Sequence, residues 1–237
     1  MPPFVEKMLA RMPVSLRKRL VRIYRPRFLY FAIPRTKPIS RGFWTDRGHP
    51  VDRYFVEKFL AGNARFIRGV CLEVQNPNYA RKYGRDLERV DVLDVDSANP
   101  QATVIGDLRR LNGVASNVYD CAIITQTLHF IDDLDAAICE IKRVLKPGGT
   151  ALITSPFLQK LERPEHTDYW RLTPLSMSYL FGKHFASDRM EIRSWGNVLT
   201  GTALLVGLAQ EDLRTAHLDQ NDPQYPCILS MRATKEL

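Results

Sequence analysis

The sequence predicts an α/β fold, an open and mainly parallel sheet with helices covering both faces. Two observations carry that prediction. Short apolar runs recur along residues 69–156, separated by polar turns and by stretches of helical spacing. One such stretch, DDLDAAICEIKRVL (132–145), keeps Leu134, Ala137, Ile138, Ile141, Val144 and Leu145 on a 3.6-residue period. The composition fits: the chain has 237 residues, 45% hydrophobic and 25% charged, enough to bury a core without disulfide or metal staples.

Taken in order, VSLRKRLVRIYR (14–25) predicts a basic amphipathic helix. Leu16, Leu20, Ile23 and Tyr24 form one face and Ser15 is placed to cap it. Pro26, Pro34 and Pro38 then make 26–50 an extended connector. Pro50 opens a helix whose apolar face is Tyr54, Phe55, Phe59 and Leu60. GVCLEV (69–74) is the first strand, a short helix follows within 77–87, and RVDVLDV (89–95), ATVIGD (102–107) and YDCAIIT (119–125) are further strands. The helix over 132–145 takes Asp132 or Asp133 as its cap, and Pro147-Gly148-Gly149 end it before a fifth strand, TALITSP (150–156). LTPLSMSYLFGKHF (172–185) is helical, started by Thr173 before Pro174, and MEIRSW (190–195) and CILSMRA (227–233) are the last strands.

Charge divides the chain. Residues 1–48 hold 12 Lys or Arg against Glu6 and Asp46, a net +10 that leaves −2 for the remainder. The expected organisation is therefore a basic arm, 1–48, and a single domain, 49–237. A nucleic-acid-binding domain would spread basic charge over a folded face with a recognisable motif, so no nucleic-acid partner is expected. The arm suits a membrane surface or an acidic partner through residues 1–25, or packing on the main domain or a second subunit as in a homodimer. No apolar run reaches the ~18–20 residues of a membrane span and no secretory pattern is readable, so a cytoplasmic protein is expected, with peripheral contact at the inner membrane surface through the arm. Cys71, Cys121, Cys139 and Cys227 are widely spaced beside apolar runs and read as buried thiols; no metal site is expected.

Open parallel sheets bind ligands outside the carboxyl ends of their strands, near the switch in strand order. After the first strand come Glu73, Gln75, Asn76, Pro77, Asn78 and Tyr79; after the second, Asp94 and Asp96; after the third, Asp107; after the fourth, Gln126, Thr127, Leu128 and His129. An acid ending the second strand can accept both hydroxyls of a ribose, and one after the third can accept from an adenine amino group. These are the demands of a nucleoside-bearing cofactor.

The stretch GDLRRL…YDCAIITQTLHFIDDLDAAICEIKRVLKPGGTALITSP resembles the second half of class I S-adenosylmethionine-dependent methyltransferases of the type 11-like group, with a degenerate glycine-rich loop. The resemblance implies a doubly wound, Rossmann-like seven-stranded sheet, mostly parallel with an antiparallel last strand, and S-adenosylmethionine as cofactor. It implies that Asp96, or less favourably Asp94, holds the ribose hydroxyls. It also implies that Asp107 and Leu108 flank the adenine and that Thr125 and Gln126 line the inner side. Where the family carries a glycine-rich loop, this chain reads LEVQNPNYARKYG, keeping Glu73 and replacing the glycines by Gln75-Asn76-Pro77-Asn78. Asparagines tolerate left-handed angles and can cap a helix beginning at Pro77; alternatively the pocket has closed. RGHPVDRY (47–54) resembles a smaller methyltransferase-like branch with an Asn-containing loop. DYWRLTP (168–174) resembles methyltransferase-like proteins of carbohydrate assembly.

The function expected is S-adenosylmethionine-dependent O-methylation of a sugar, glycan precursor or similar polar metabolite. His129 and His166 are the candidate bases, since imidazole titrates near working pH. Tyr54, Asp168, Tyr169, Trp170 and Arg171 are the candidate acceptor-binding residues; the alternative for Trp170 is a structural ring packed inward. The competing reading is a silent or repurposed methyltransferase-fold protein that serves as a binding or scaffold module, at a membrane surface if the arm reaches one.

Overall fold

The computed structural model describes residues 12–13, 16–18, 20, 36–42, 47–161 and 168–237. Most of the expected basic helix with its Ser15 cap, and most of the 26–50 connector, lie outside the described residues. The chain forms two compact units: the described residues of Met1–Tyr54 with Gly196–Cys227, and Phe55–Trp195 with Ile228–Leu237. The sequence reading put its boundary at 48/49 and did not set 196–227 apart.

The larger unit is built on β1 (Gly69–Val74), β2 (Leu87–Asp94), β3 (Val104–Ile105), β4 (Tyr119–Thr125), β5 (Leu145–Pro156), β6 (Met190–Trp195) and β7 (Ile228–Thr234). They form one sheet in the order β3-β2-β1-β4-β5-β7-β6. The first five strands are parallel, and β7 runs antiparallel to both β5 and β6. Strand order reverses between β1 and β4, which opens a crevice at their carboxyl ends. The expected seven-stranded sheet, mostly parallel with an antiparallel last strand, is the one found.

Helices α1 (Val51–Gly62), α2 (Asn78–Tyr83), α3 (Leu134–Val144) and α4 (Pro174–Phe181) come next in this description. Helix α3 shows why its sequence folds so. Asp133, not Asp132, is the cap, accepting from the Ala136 N–H at 3.0 Å, and the whole apolar period is buried. The helix ends at Val144 because Leu145 is already extended and pairs with Tyr119; Pro147-Gly148-Gly149 lie inside β5 rather than after the helix. Alternate residues of the strands, Leu72, Ala122, Ile124, Ala151, Ile153 and Leu229, share one core with Met177 and Phe181 of α4 and the buried stripe of α3. Thr173 and Ser176 form the capping box that starts α4. β3 is shorter than the expected 102–107 strand: it is an edge strand that pairs with β2 only at Val104 and Ile105.

In the smaller unit the apolar run after Asn197 forms α5 (Val198–Val206), and α6 (Thr215–Asp219) follows. Asn197 caps α5 through the Thr200 N–H at 3.0 Å. Gly207 ends it at φ 77°, where a Cβ would strike the Ser40 carbonyl. Arg47 is fully buried and donates to both carboxylate oxygens of Asp212, each at 3.1 Å. Cys71, Cys121 and Cys227 are buried as expected, but Cys139 is exposed, on the outer side of α3. No helix among the described residues is long and apolar enough to cross a membrane.

Candidate active site

A cavity of about 540 Å³ opens at the carboxyl ends of β1, β2, β3 and β4, within the ~300–1,000 Å³ of small-molecule sites. Val74, the last residue of β1, is on its wall. The end of β2 contributes Leu93, Asp94 and Val95, the turn after β3 contributes Gly106 to Arg109, and Thr127, Phe130, Ile131 and Asp132 follow β4; Tyr169 is the last wall residue.

Asp94 and Asp96 take different positions. Asp94 is half-buried on the wall; its Oδ2 accepts from Asn99 Nδ2 at 2.7 Å and its Oδ1 from the Asp96 N–H at 3.0 Å. Asp96 is exposed, is not on the wall, and caps the next turn through the Ala98 N–H at 2.8 Å. Each Asp94 oxygen keeps a lone pair for a ligand donor.

Asp107 and Leu108 stand on the wall as read from the sequence, with Leu108 buried. Arg109 links Asp107 and Asp132, at 2.6 Å to each. Its hydrogen bond to Asp107 holds that carboxyl below the usual carboxylate range. This cation between two acids at the cavity was not singled out in the sequence, where an Asp and an Arg two residues apart were the only signal. Phe130 and Ile131 were missed as well: both lie in an apolar turn that hydropathy alone assigns to the core.

The loop that replaces the glycines keeps its left-handed residue, at Gln75 (φ 73°) rather than at an asparagine. Gln75 is exposed and is not on the cavity wall; its carbonyl accepts from Asn99 Nδ2 at 2.8 Å. Asn76 Oδ1 accepts from the Asn78 N–H at 3.2 Å, and α2 begins at Asn78, one residue later than expected. Tyr79 turns toward Tyr83, ring centroids 6.3 Å apart. Glu73 is buried, and its carboxylate accepts from the Tyr79 and Ala80 N–H groups at 3.0 and 2.7 Å, which ties the end of β1 to α2. Burial pushes its carboxyl up to about 7, against the pull of those two donors and of Arg81.

Past β4, Gln126 takes φ 48°; its N–H bonds the Thr154 carbonyl at 2.9 Å, and both atoms of its amide are buried without a partner. Thr125 gives its carbonyl to Thr127 Oγ1 at 2.9 Å. His129 is 1% exposed, both ring nitrogens are unpartnered, and the ring lies 3.9 Å from Phe130. Burial pushes it down to about 4; Asp168 opposes that and Arg171 adds to it. Ser155 Oγ, at the end of β5, is a further buried group without a partner.

Asp168 and Arg171 pair with each other. Tyr169 donates its N–H to the His129 carbonyl at 2.8 Å and is half exposed. Trp170 is 38% exposed rather than packed inward, held by an indole hydrogen bond to the Ile131 carbonyl at 2.7 Å. His166 lies outside the described residues. Tyr54 belongs to the smaller unit, where its hydroxyl donates to Asp219 at 2.7 Å; burial and that carboxylate push its phenol up to about 12.

A family model described as a methyltransferase domain matches residues 62–153. An S-adenosylmethionine-dependent methyltransferase from Archaeoglobus fulgidus superposes with a TM-score of 0.53 at 14% identity, covering 77% of this chain and 94% of that one. One from Mesorhizobium loti gives 0.52 at 13% identity, covering 78% and 98%. Phosphoethanolamine N-methyltransferase 2 of Haemonchus contortus, in complex with S-adenosyl-L-methionine, gives 0.52 at 15% identity, covering 76% of this chain and 52% of that longer one. At these identities the likeness is one of fold. No curated protein sequence matches the chain. Residues 62–153 are thus similar to a methyltransferase domain, and the seven-stranded sheet has the fold of the S-adenosylmethionine-dependent methyltransferases it superposes on. The cavity fits an adenosine: a half-buried carboxylate for a diol, and Leu108, Phe130 and Ile131 as apolar walls for a flat base.

Proposed function

We propose that this chain transfers a methyl group to a hydroxyl oxygen of a sugar, glycan precursor or similar polar metabolite. The observation that carries the reading is the cavity at the strand ends with two exposed aromatic rings beside it, Tyr169 on its wall and Trp170 fixed to Ile131. Aromatic faces stack on the apolar faces of sugars, and Arg171, held by the Asp168 carboxylate, offers donors for hydroxyls.

When bound, S-adenosylmethionine supplies a methyl group on a sulfonium, the electrophile of the reaction. Asp94, with Asp96 behind it on the turn, holds the ribose hydroxyls, and Asp107 and Leu108 flank the base. Glu73, Gln75, Asn76 and Asn78 shape the turn after β1, and Thr125 and Gln126 shape the end of β4. His129 stays neutral at working pH because burial disfavours its charge, so an unprotonated nitrogen is available to accept a hydrogen bond and orient the acceptor hydroxyl, while the same burial makes it a weak candidate base. His166 is the second proton acceptor of this reading. Alignment of the reactants is the protein's main contribution, worth up to ~7–11 kcal/mol. The +10 charge of residues 1–48 supports peripheral contact of the arm with an anionic membrane or an acidic partner.

The test is isothermal titration with S-adenosylmethionine and its demethylated product. Saturable binding weakened at least about tenfold by Asp94→Asn is expected, since a carboxylate-to-diol contact is a charge-assisted hydrogen bond. Binding equal in Asp94→Asn and the parent would move the cofactor out of this cavity. Labelled methyl transfer to a panel of sugars and sugar nucleotides then tests the acceptor class: transfer only to non-carbohydrate acceptors overturns that half of the reading.

A further inference from the structure

Arg109 belongs to the turn after β3, and the run Gly106-Asp107-Leu108-Arg109-Arg110 folds it back over its own neighbour. Asp107 accepts from the Arg109 N–H at 2.8 Å through its carboxylate and from the Arg110 N–H at 2.9 Å through its carbonyl, which closes the turn. The same carboxylate takes the side chain. Arg109 Nη2 donates to Oδ2 at 2.6 Å, and Nε lies 3.0 and 3.1 Å from the two oxygens. Nη1 reaches out of the turn to Asp132 Oδ1 at 2.6 Å, and that oxygen also accepts from the Asp133 N–H at 2.8 Å. Arg109, Asp107 and Asp132 all stand on the wall of the strand-end cavity.

These ties use only the edge of the guanidinium. Its N–H groups lie in the plane of the group, so two carboxylates at the rim fix the plane and take neither of its faces. With Nε, Nη1 and Nη2 engaged, the side chain is still 45% exposed. Exposed ion pairs add little to stability. What a two-sided clamp does add is a flat cation held in one orientation at a cavity wall. The same cavity is lined by the apolar side chains of Leu108, Phe130 and Ile131, the surface that a flat ring needs on its remaining sides.

We propose that the face of the Arg109 guanidinium stacks on the purine of the cofactor, with Asp107 and Asp132 as positioning residues that hold its plane. The inference rests on the reading of this cavity as the cofactor site. Guanidinium planes stack on bases as aromatic rings do, through the π-face that every base offers. The experiment is a titration of the full chain with S-adenosylhomocysteine, which is neutral at sulfur, so that repulsion between Arg109 and a sulfonium does not enter. Binding is measured by calorimetry. The Arg109 Nε–H resonance, assigned by its loss in Arg109→Lys, is followed by NMR in parallel. The ring current of a stacked purine should move that resonance upfield with S-adenosylhomocysteine and with adenosine, and homocysteine should leave it in place. Arg109→Ala should weaken binding about fivefold to thirtyfold, the range for a cation stacked on a ring. Arg109→Lys keeps the charge but lacks the plane, so it should not restore the affinity. Asp132→Asn, which frees one end of the clamp, should weaken binding by less than Arg109→Ala. Saturable binding to the parent with the Nε–H resonance unmoved, or parental affinity in Arg109→Lys, overturns the proposal and leaves the cofactor reading standing. No saturable binding to the parent overturns the cofactor reading, and this inference with it.

Discussion

Replacing Glu73 or His129 should unmask a pH dependence of stability that the parent conceals. Both side chains are buried near the strand ends, and burial acts on them in opposite directions, raising the Glu73 carboxyl to about 7 and lowering the His129 imidazole to about 4. Take Glu73 first. Its folded value lies above the ordinary carboxylate value of 4.5, so the folded state holds a proton that the unfolded chain has lost. Its contribution is complete below pH 4.5 and is lost as pH rises through 7. His129 is the reverse: its folded value lies below the ordinary imidazole value of 6.5, so the unfolded chain binds the extra proton, and its contribution is present above 6.5 and is lost as pH falls through 4. Between pH 5 and 6 each changes stability by about 1 kcal/mol per pH unit, at 1.36 kcal/mol for a full proton, and the two nearly cancel. Guanidinium melts at pH 5 and pH 6 should therefore give nearly equal stabilities for the parent. Glu73→Gln should gain about 1 kcal/mol over that step, and His129→Leu should lose about as much. The slope is the readout, because glutamine keeps only one of the two bonds to α2 and its absolute stability shifts as well. One common pH slope for all three proteins would refute the burial argument for both groups.

Arg47→Ala removes one partner of a buried, doubly bonded ion pair and leaves the buried Asp212 carboxylate without its guanidinium; about 3–5 kcal/mol should be lost in denaturant melts. Gln75→Gly relieves a left-handed backbone worth about 1–2 kcal/mol and adds about 0.5–1 kcal/mol of chain entropy cost, so stability should stay within about 1 kcal/mol of the parent, whereas Gln75→Val should be clearly destabilised. In the pH dependence of kcat, no inflection near 6.5 should be traceable to His129, since its neutral form persists to about 4; an inflection near 6.5 that vanishes in His129→Gln would show that it charges in the complex.

The sheet was legible where a short run, apolar throughout or alternating, is bounded by polar turns: β1, β4 and β6 have the limits read from the sequence. Helix α3 was legible from its period and its cap. What hydropathy could not convey were features decided by tertiary contacts. β5 begins at Leu145 because Tyr119 offers it a partner, overriding the stop signal of Pro147-Gly148-Gly149. Residues 198–206 are apolar almost without interruption and carry no helical period, so α5 and the smaller unit went unread. At the candidate site, the acids after β2 and β3 were found because their chemistry is local to the strand ends. Arg109, Phe130 and Ile131 were not, because their place at the cavity depends on how separate turns meet.

Two residues bear on why the site survives without its glycines. Gln75 and Gln126 follow the adjacent strands β1 and β4, and both adopt left-handed angles that a side chain disfavours by about 1–2 kcal/mol. The cost at Gln75 buys geometry alone, since its side chain points to solvent while its carbonyl is tied to the same Asn99 that holds Asp94. The glycine at this turn is thus replaceable in its backbone role: the turn needs a positive φ more than it needs a missing Cβ, and Asn99 anchors the substitute. Gln126 carries a second penalty, because its buried amide is unpaired at about 1–3 kcal/mol. With the equally unpaired His129 and Ser155, it concentrates unsatisfied polar groups in the residues that follow β4 and at the end of β5. Strain and orphaned polarity gathered at the carboxyl ends of the central strands, while the rest of the sheet is well satisfied, are what a folded core would shed and a binding site has reason to keep.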